Sequence, residues 1–332
     1  MSPARYIVLF VLAGCSLAAS AQDAVKTDFK RLAPRVVRTL KGNSKPIRCL
    51  AFSPDGQSVA SCEGDGRTVI WNVKNGRAQH TLGSKSQAIV AAAFSPDGQL
   101  LVTGDKANKV KLWDARSGKL KHTLAGHMGA VRAVCFSTDG KLLASGDSNG
   151  RVLLWTVGAD PVQAKSIGAI RGVDALHFTP DAKRLLSGHV KSLIQVWNAE
   201  TGKQIHRISP GGRDLRGAAF SPDGKTIGGV ATHIGLGLWH AESGELIQAY
   251  PQTAFGDADS MRAVAWSPDS RMVISVGAYT IHFRQAVGGQ LFKRIQTRDL
   301  DQNSKMALSP DGRFMVTGGG PQPTIKVWQL YR

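Results

Sequence analysis

The sequence predicts an all-β fold: a seven-bladed β-propeller of four-stranded antiparallel blades, with its ring closed by the N-terminal strand. Three observations predict it. An aromatic residue or leucine followed by a Ser/Thr-x-Asp turn recurs seven times, at Phe52, Phe94, Phe136, Phe178, Phe220, Trp266 and Leu308. The first five are spaced 42 residues apart, the next step is 46, and the last is again 42. A second ladder runs in phase with it: Trp71, Trp113, Trp155, Trp197, Trp239, Phe283 and Trp328. The two ends of the chain also complement each other, as argued below. Two ladders in phase at a period in the low forties are the mark of a propeller, in which no blade can bury its own faces alone.

Each repeat reads as four short strands. An apolar stretch such as Ala91-Ala92-Ala93-Phe94 runs into Ser95-Pro96-Asp97-Gly98. There proline presets φ and glycine accepts a positive φ, so the chain reverses in a tight hairpin. Leu100 to Thr103 follows as a second strand. After a polar turn, Val110-Lys111-Leu112-Trp113 alternates apolar and polar residues with the period of a half-buried strand. Segments ending in Thr-Leu, such as Gln79 to Leu82 and Lys121 to Leu124, supply the fourth.

The last repeat stops after Thr324 to Leu330, which is a third strand. Near the start, Val36 to Asn43 aligns with the outer-strand segment His122 to His127. The N-terminal strand is therefore expected to complete the final blade and leave no open seam. The propeller spans 35–332 on this reading, with 22–34 as a linker and 1–21 as a leader. In the leader, Arg5 precedes the apolar run Tyr6 to Leu12, and Ala19-Ser20-Ala21 is a small-residue cleavage pattern. Leu12-Ala13-Gly14-Cys15 offers a second reading, a lipoprotein signal over 1–14 with lipid attached to Cys15. Both send the propeller out of the cytoplasm, to a bacterial periplasm or envelope.

These residues resemble the WD-repeat (beta-transducin) family over nearly the whole mature chain. The resemblance rests on Gly126-His127, Phe136 to Gly140, Leu143 to Gly146 and Trp155 in the third repeat, and on Trp113-Asp114 in the second. It implies a polar clamp in which His, Ser/Thr, Asp and Trp pin one turn of the blade. His127, Ser145, Asn149 and Trp155 would supply it in the third repeat, and Asn43, Ser61, Asp65 and Trp71 in the first. Most other repeats lack its polar members, so packing between blades is expected to hold them. The resemblance also implies a non-catalytic scaffold that binds other proteins, acting as a monomer and without a cofactor.

Four residues before each anchor stand Arg48, Val90, Arg132, Asp174, Arg216, Arg262 and Ser304. That position opens the innermost strand at the mouth of the central channel, where the family's members commonly contact partners. Guanidinium forks converging there would attract a carboxylate or phosphate. Arg48, Arg132, Arg216 and Arg262 are thus candidate partner-binding residues for an acidic protein or peptide. The alternative lays their stems on neighbouring blades and leaves their heads in water. Phe255, in the longer loop 250–260 leading to the sixth blade, is a further candidate contact.

The chain carries 42 Lys+Arg against 24 Asp+Glu, a net +18, which favours acidic partners. Nucleic acid is disfavoured by export and by the lack of a dense basic run or a basic-aromatic stacking cluster. Membrane association follows if Cys15 is lipidated. Cys49 and Cys62 flank the hairpin Ser53 to Gly56 and count to opposite positions, so they form either a cross-strand disulfide or a pair of buried thiols. With no C-x-x-C, neither zinc nor a redox dithiol is indicated. Gly146-Asp147-Ser148-Asn149-Gly150 fits G-x-S-x-G, yet the repeat places it between two strands, where a nucleophile elbow needs a strand-to-helix turn. His80, His122 and His206 share one outer-strand position in different blades, too far apart for a common metal. An enzyme-like or small-ligand propeller using the central channel stands as the second functional reading.

Overall fold

The computed structural model describes residues 26–83, 87–158, 164–169, 172–212, 214–232, 235–251, 261–297, 300, 304–319 and 323–331. Among these the chain forms 28 strands, β1 to β28 in order, in seven four-stranded antiparallel sheets. Each sheet is one blade. The inner strands are β2 (Ile47–Phe52), β6 (Ile89–Phe94), β10 (Val131–Phe136), β14 (Val173–Phe178), β18 (Leu215–Phe220), β22 (Ala263–Trp266) and β26 (Lys305–Leu308). Each packs beside the inner strand of the next blade, and β26 returns to β2, so the sheets form a closed ring.

Among the described residues there is no single core. The buried apolar residues fall into seven clusters, and each lies between two neighbouring blades. Between blades 2 and 3, for example, Val102 and Leu112 meet Leu143, Leu153 and Trp155. Between blades 7 and 1, Val316 and Val327 meet Leu50, Phe52 and Trp71. A strand's alternate residues face opposite sides, so every blade feeds two seams.

The hairpin after each anchor uses the same polar kit. In blade 1, Ser53 Oγ donates to Asp55 Oδ1 at 2.5 Å, Asp55 Oδ1 accepts from Gln57 N at 2.9 Å, and Ser53 Oγ accepts from Ser58 N at 2.9 Å. Gly56 holds the left-handed position with φ 68°. Blades 4 and 6 place Ala182 and Ser270 there instead, at φ 57° and 60°.

Closure is by the N-terminal strand. β1 (Leu32–Leu40) pairs antiparallel with β28 (Ile325–Tyr331), with Leu40 opposite Ile325 and Val36 opposite Trp328. It is the fourth strand of blade 7. The strand begins at Leu32, inside the stretch expected to be a linker, and the residues before it are docked too. Thr27 donates from N and Oγ1 to the Asp269 carboxylate at 2.6 and 2.7 Å, and Phe29 stacks on Phe292 at 3.7 Å. The apolar side chains of Phe29 and Leu32 account for the difference, since they pack against the cluster between blades 6 and 7.

Candidate functional site at the channel mouth

The inner strands open with an irregularity that the sequence did not reveal. In five blades the pairing with the second strand skips one residue: Arg48, Val90, Arg132, Asp174 or Arg216. Each is the extra residue of a β-bulge, a device that re-aims a side chain out of the regular alternation. Neighbouring blades therefore bring these positions together. Arg132 Nη1 donates to Asp174 Oδ1 across the blade 3–4 boundary at 3.2 Å. In blade 6, Arg262 lies just ahead of its strand, is 7 % exposed, and donates its backbone N–H to Val276 O at 2.7 Å.

The mouth is not uniformly cationic. Asp174 is 4 % exposed, and its burial pushes its carboxyl up to about 6 although Arg132, and more distantly Arg216, favour the charged form. Arg216 donates from Nε to Thr232 Oγ1 at 3.1 Å and lies 3.5 Å from the Asp214 carboxylate. The sector of blades 3 to 5 thus holds its own counter-charge. Among the described residues, Arg48 Nε is shielded from solvent and has no hydrogen-bond partner. Arg132 and Arg216 thus act on one buried carboxylate, that of Asp174.

The clamp differs in register from the sequence expectation. In blade 3, Trp155 Nε1 donates to Ser145 Oγ at 2.7 Å, Ser145 Oγ lies 2.6 Å from His127 Nε2, and His127 Nδ1 lies 2.9 Å from Asp147 Oδ2. The acid is Asp147, not Asn149, which sits in the turn and donates from Nδ2 to Met128 O. Residues two apart on a strand share a face, so Asp147 lies beside Ser145 and the turn residue does not. That alternation could have identified it. In blade 1, Trp71 Nε1 donates to Ser61 Oγ at 2.8 Å and Ser61 Oγ donates to Asn43 Oδ1 at 3.1 Å. Asp65 is outside that set and pairs with Arg67, while fully buried Glu63 takes the position of Asp147 and accepts from Ser44 N and Lys45 N.

The Trp-to-hydroxyl bond is commoner than the sequence implied. Trp113 donates to Thr103, Trp197 to Ser187 and Trp328 to Thr317, at 2.9, 2.7 and 2.9 Å. In blade 4 that serine also meets His189 Nε2 at 2.7 Å. His127, though buried, is held below the usual imidazole range because desolvation outweighs the attraction of Asp147.

Cys49 and Cys62 face each other across β2 and β3 (Ser58–Glu63), with Cα atoms 5.1 Å apart and the sulfurs joined as a disulfide. Cys135 is buried and free, and burial pushes its thiol up. Ser148 lies in a turn closed by Gly150 N donating to Asp147 O at 3.1 Å, between β11 (Leu142–Asp147) and β12 (Arg151–Thr156). No group of three or more His, Cys, Asp or Glu able to hold a metal occurs among the described residues. Cys15, the leader 1–21 and Phe255 lie outside the described residues.

The relatives of this chain agree with the geometry. A stretch of 66 residues is 39 % identical to "WD repeat, SAM and U-box domain-containing protein 1" of Gallus gallus, covering 20 % of this chain and 13 % of that protein. The Homo sapiens protein of the same name is 39 % identical over 67 residues, again covering 20 % and 13 %. The chain thus matches only a small part of those curated relatives. Residues 43–250, which span blades 1 to 5, match the family described as "Nucleolar protein 10-like, N-terminal domain". The chain is a WD-type β-propeller and belongs to this Nucleolar protein 10-like family of propeller domains.

Proposed function

We propose that this propeller is a non-catalytic protein-interaction scaffold that receives an acidic segment of a partner at its arginine-bearing mouth. The observation that carries the proposal is the recurring bulge. The same extra residue opens the inner strand of five blades, and in three of them it is arginine. A guanidinium presents a planar set of donors suited to carboxylates, and several fixed on a rigid ring reach one ligand with little ordering cost. The bond between Arg132 and Asp174 supports this reading, as a carboxylate already accepts from one of these arginines.

The test uses a Glu/Asp-rich peptide and fluorescence anisotropy. The native chain is expected to bind it with an affinity that falls as salt rises. The double variant Arg48→Gln/Arg216→Gln is expected to lose at least about tenfold, the loss of one charge-assisted contact. Unchanged affinity in a folded double variant would remove the mouth from consideration.

The proposed setting is a bacterial periplasm or envelope. It is supported by Arg5, the apolar run, the Ala19-Ser20-Ala21 pattern and a cysteine pair suited to an oxidising compartment. Mass spectrometry of the mature N-terminus decides between Gln22 as the first residue and a lipid on Cys15. An unprocessed Met1 in the cell would refute export by either route.

A further inference from the structure

The opposite end of the channel holds a second recess, where the inner strands of blades 4 to 7 run into their hairpins. It has a volume of about 60 Å³ and is bounded by Phe178, Phe220, Trp266 and Leu308 together with Pro180, Pro222 and Pro268. The hydroxyls in its wall are engaged elsewhere. Ser221 donates to Asp223 at 2.5 Å, Ser309 to Asp311 at 2.5 Å, and Thr138 to Pro180 O at 2.7 Å. Two polar side-chain groups are left over, and one of them, the Trp266 indole Nε1, lies against Gly228 of blade 5.

The other is His177. The residue directly before the anchor is small in the other six blades: Ala51, Ala93, Cys135, Ala219, Ala265 and Ala307. Blade 4 places an imidazole there, 9 % exposed, with its ring tilted against Phe220 at 6.2 Å. Its Nδ1 is shielded from solvent and has no hydrogen-bond partner. Burial brings the ring down to about 4, so at neutral pH it offers a dipole and no charge. A buried polar atom without a partner costs free energy that a ligand able to pair with it recovers.

We infer that this recess binds a small neutral organic molecule with an apolar body and a single hydroxyl, of which phenol is the simplest probe, the hydroxyl pairing with His177 Nδ1 as a turn of the ring brings that atom to the recess. A hydroxyl suits either tautomer, because it can both donate and accept. A charged ligand finds no compensation among aromatic and proline walls. The volume limits what enters: a cavity of about 150 Å³ accepts benzene. Here part of such a ring enters the recess and the rest lies toward the channel. This site lies at the far end of the ring from the arginines and does not depend on them.

The experiment compares phenol with toluene on the full chain, following tryptophan fluorescence and imidazole NMR signals. Phenol is expected to bind saturably and about fivefold more tightly than toluene, the effect of one neutral hydrogen bond. His177→Leu is expected to remove that preference while leaving toluene binding in place, and Ala265→Leu to abolish both by filling the recess. Ala219→Val serves as a second filling variant if Ala265→Leu fails to unfold cooperatively. Equal binding of phenol and toluene to the native chain, persistence of phenol binding in a folded filling variant, or no saturation up to the solubility limit overturns the inference. The last result would mean that the recess holds water only.

Discussion

Among single residues, the sharpest contrast is between Asp147 and Asn149, two positions apart and with opposite energetic weight. Asp147 accepts from His127 Nδ1 within a clamp that is fully enclosed, whereas Asn149 makes an exposed bond in a turn. Asp147→Ala is expected to cost about 2–4 kcal/mol, because it strands a buried imidazole and two turn N–H groups. Asn149→Ala is expected to cost less than about 1 kcal/mol. Urea unfolding of the two variants checks the order. Protonation supplies a second residue-scale prediction. His177 falls from 6.5 to about 4 in the folded chain, so below pH 6.5 the unfolded chain takes up a proton that the folded one refuses. Its share of stability is complete above 6.5 and is lost as pH falls toward 4, about 2 kcal/mol by pH 5. His282, also lowered to about 4 by burial, acts in the same direction. Asp174, raised to about 6, acts the other way and gains as pH falls between 6 and 3.8. The net expectation is a lower urea midpoint at pH 5 than at pH 7, with the gap narrowed in His177→Phe; an equal gap in both proteins would contradict it.

At the scale of the element, the hairpins and bulges carry the argument. Ala182 holds a left-handed φ of 57° that glycine holds in most equivalent turns, so Ala182→Gly is expected to stabilise by about 1 kcal/mol. Ser270→Gly is expected to gain less, since the same change deletes the Oγ that accepts from Asp223 N at 3.0 Å. Thermal midpoints of both variants test this pair. The hairpins were legible in the sequence because each is set by local chemistry: a Ser or Thr, an Asp and a residue tolerant of positive φ in fixed order. The bulges were not, because an extra residue in a strand leaves no mark of its own in the alternation. Repeat alignment found Arg48, Arg132, Arg216 and Arg262 as equivalents without showing that the first three are the extra residues of bulges. It also missed Asp174 as a counter-charge, since pairing across the ring depends on which blades are neighbours and how deeply each group is buried. The histidine of the second recess was invisible for the same reason: His177 reads as one apolar-strand residue among many until the wall around it is known.

For the whole molecule, stability resides in seven seams, and the ring is only as sound as its closure. Leu40 is fully buried in the seam between blades 7 and 1, so Leu40→Ala is expected to cost about 2–5 kcal/mol, with the loss felt beyond blade 7. Removing residues 26–40 is expected to abolish cooperative unfolding and to favour association through the uncovered β28 edge, measurable by calorimetry and light scattering. The closing strand also has a consequence in time. Arg35 and Gln329, whose side chains bond across the closing pair, are 294 residues apart, so β1 waits for β28 before it can pair. A chain emerging N-terminus first carries β1 unpaired through all the intervening synthesis. A product that ends before β28 is expected to leave β1 without its partner strand. Closure of the ring is thereby deferred until β28 has been translated.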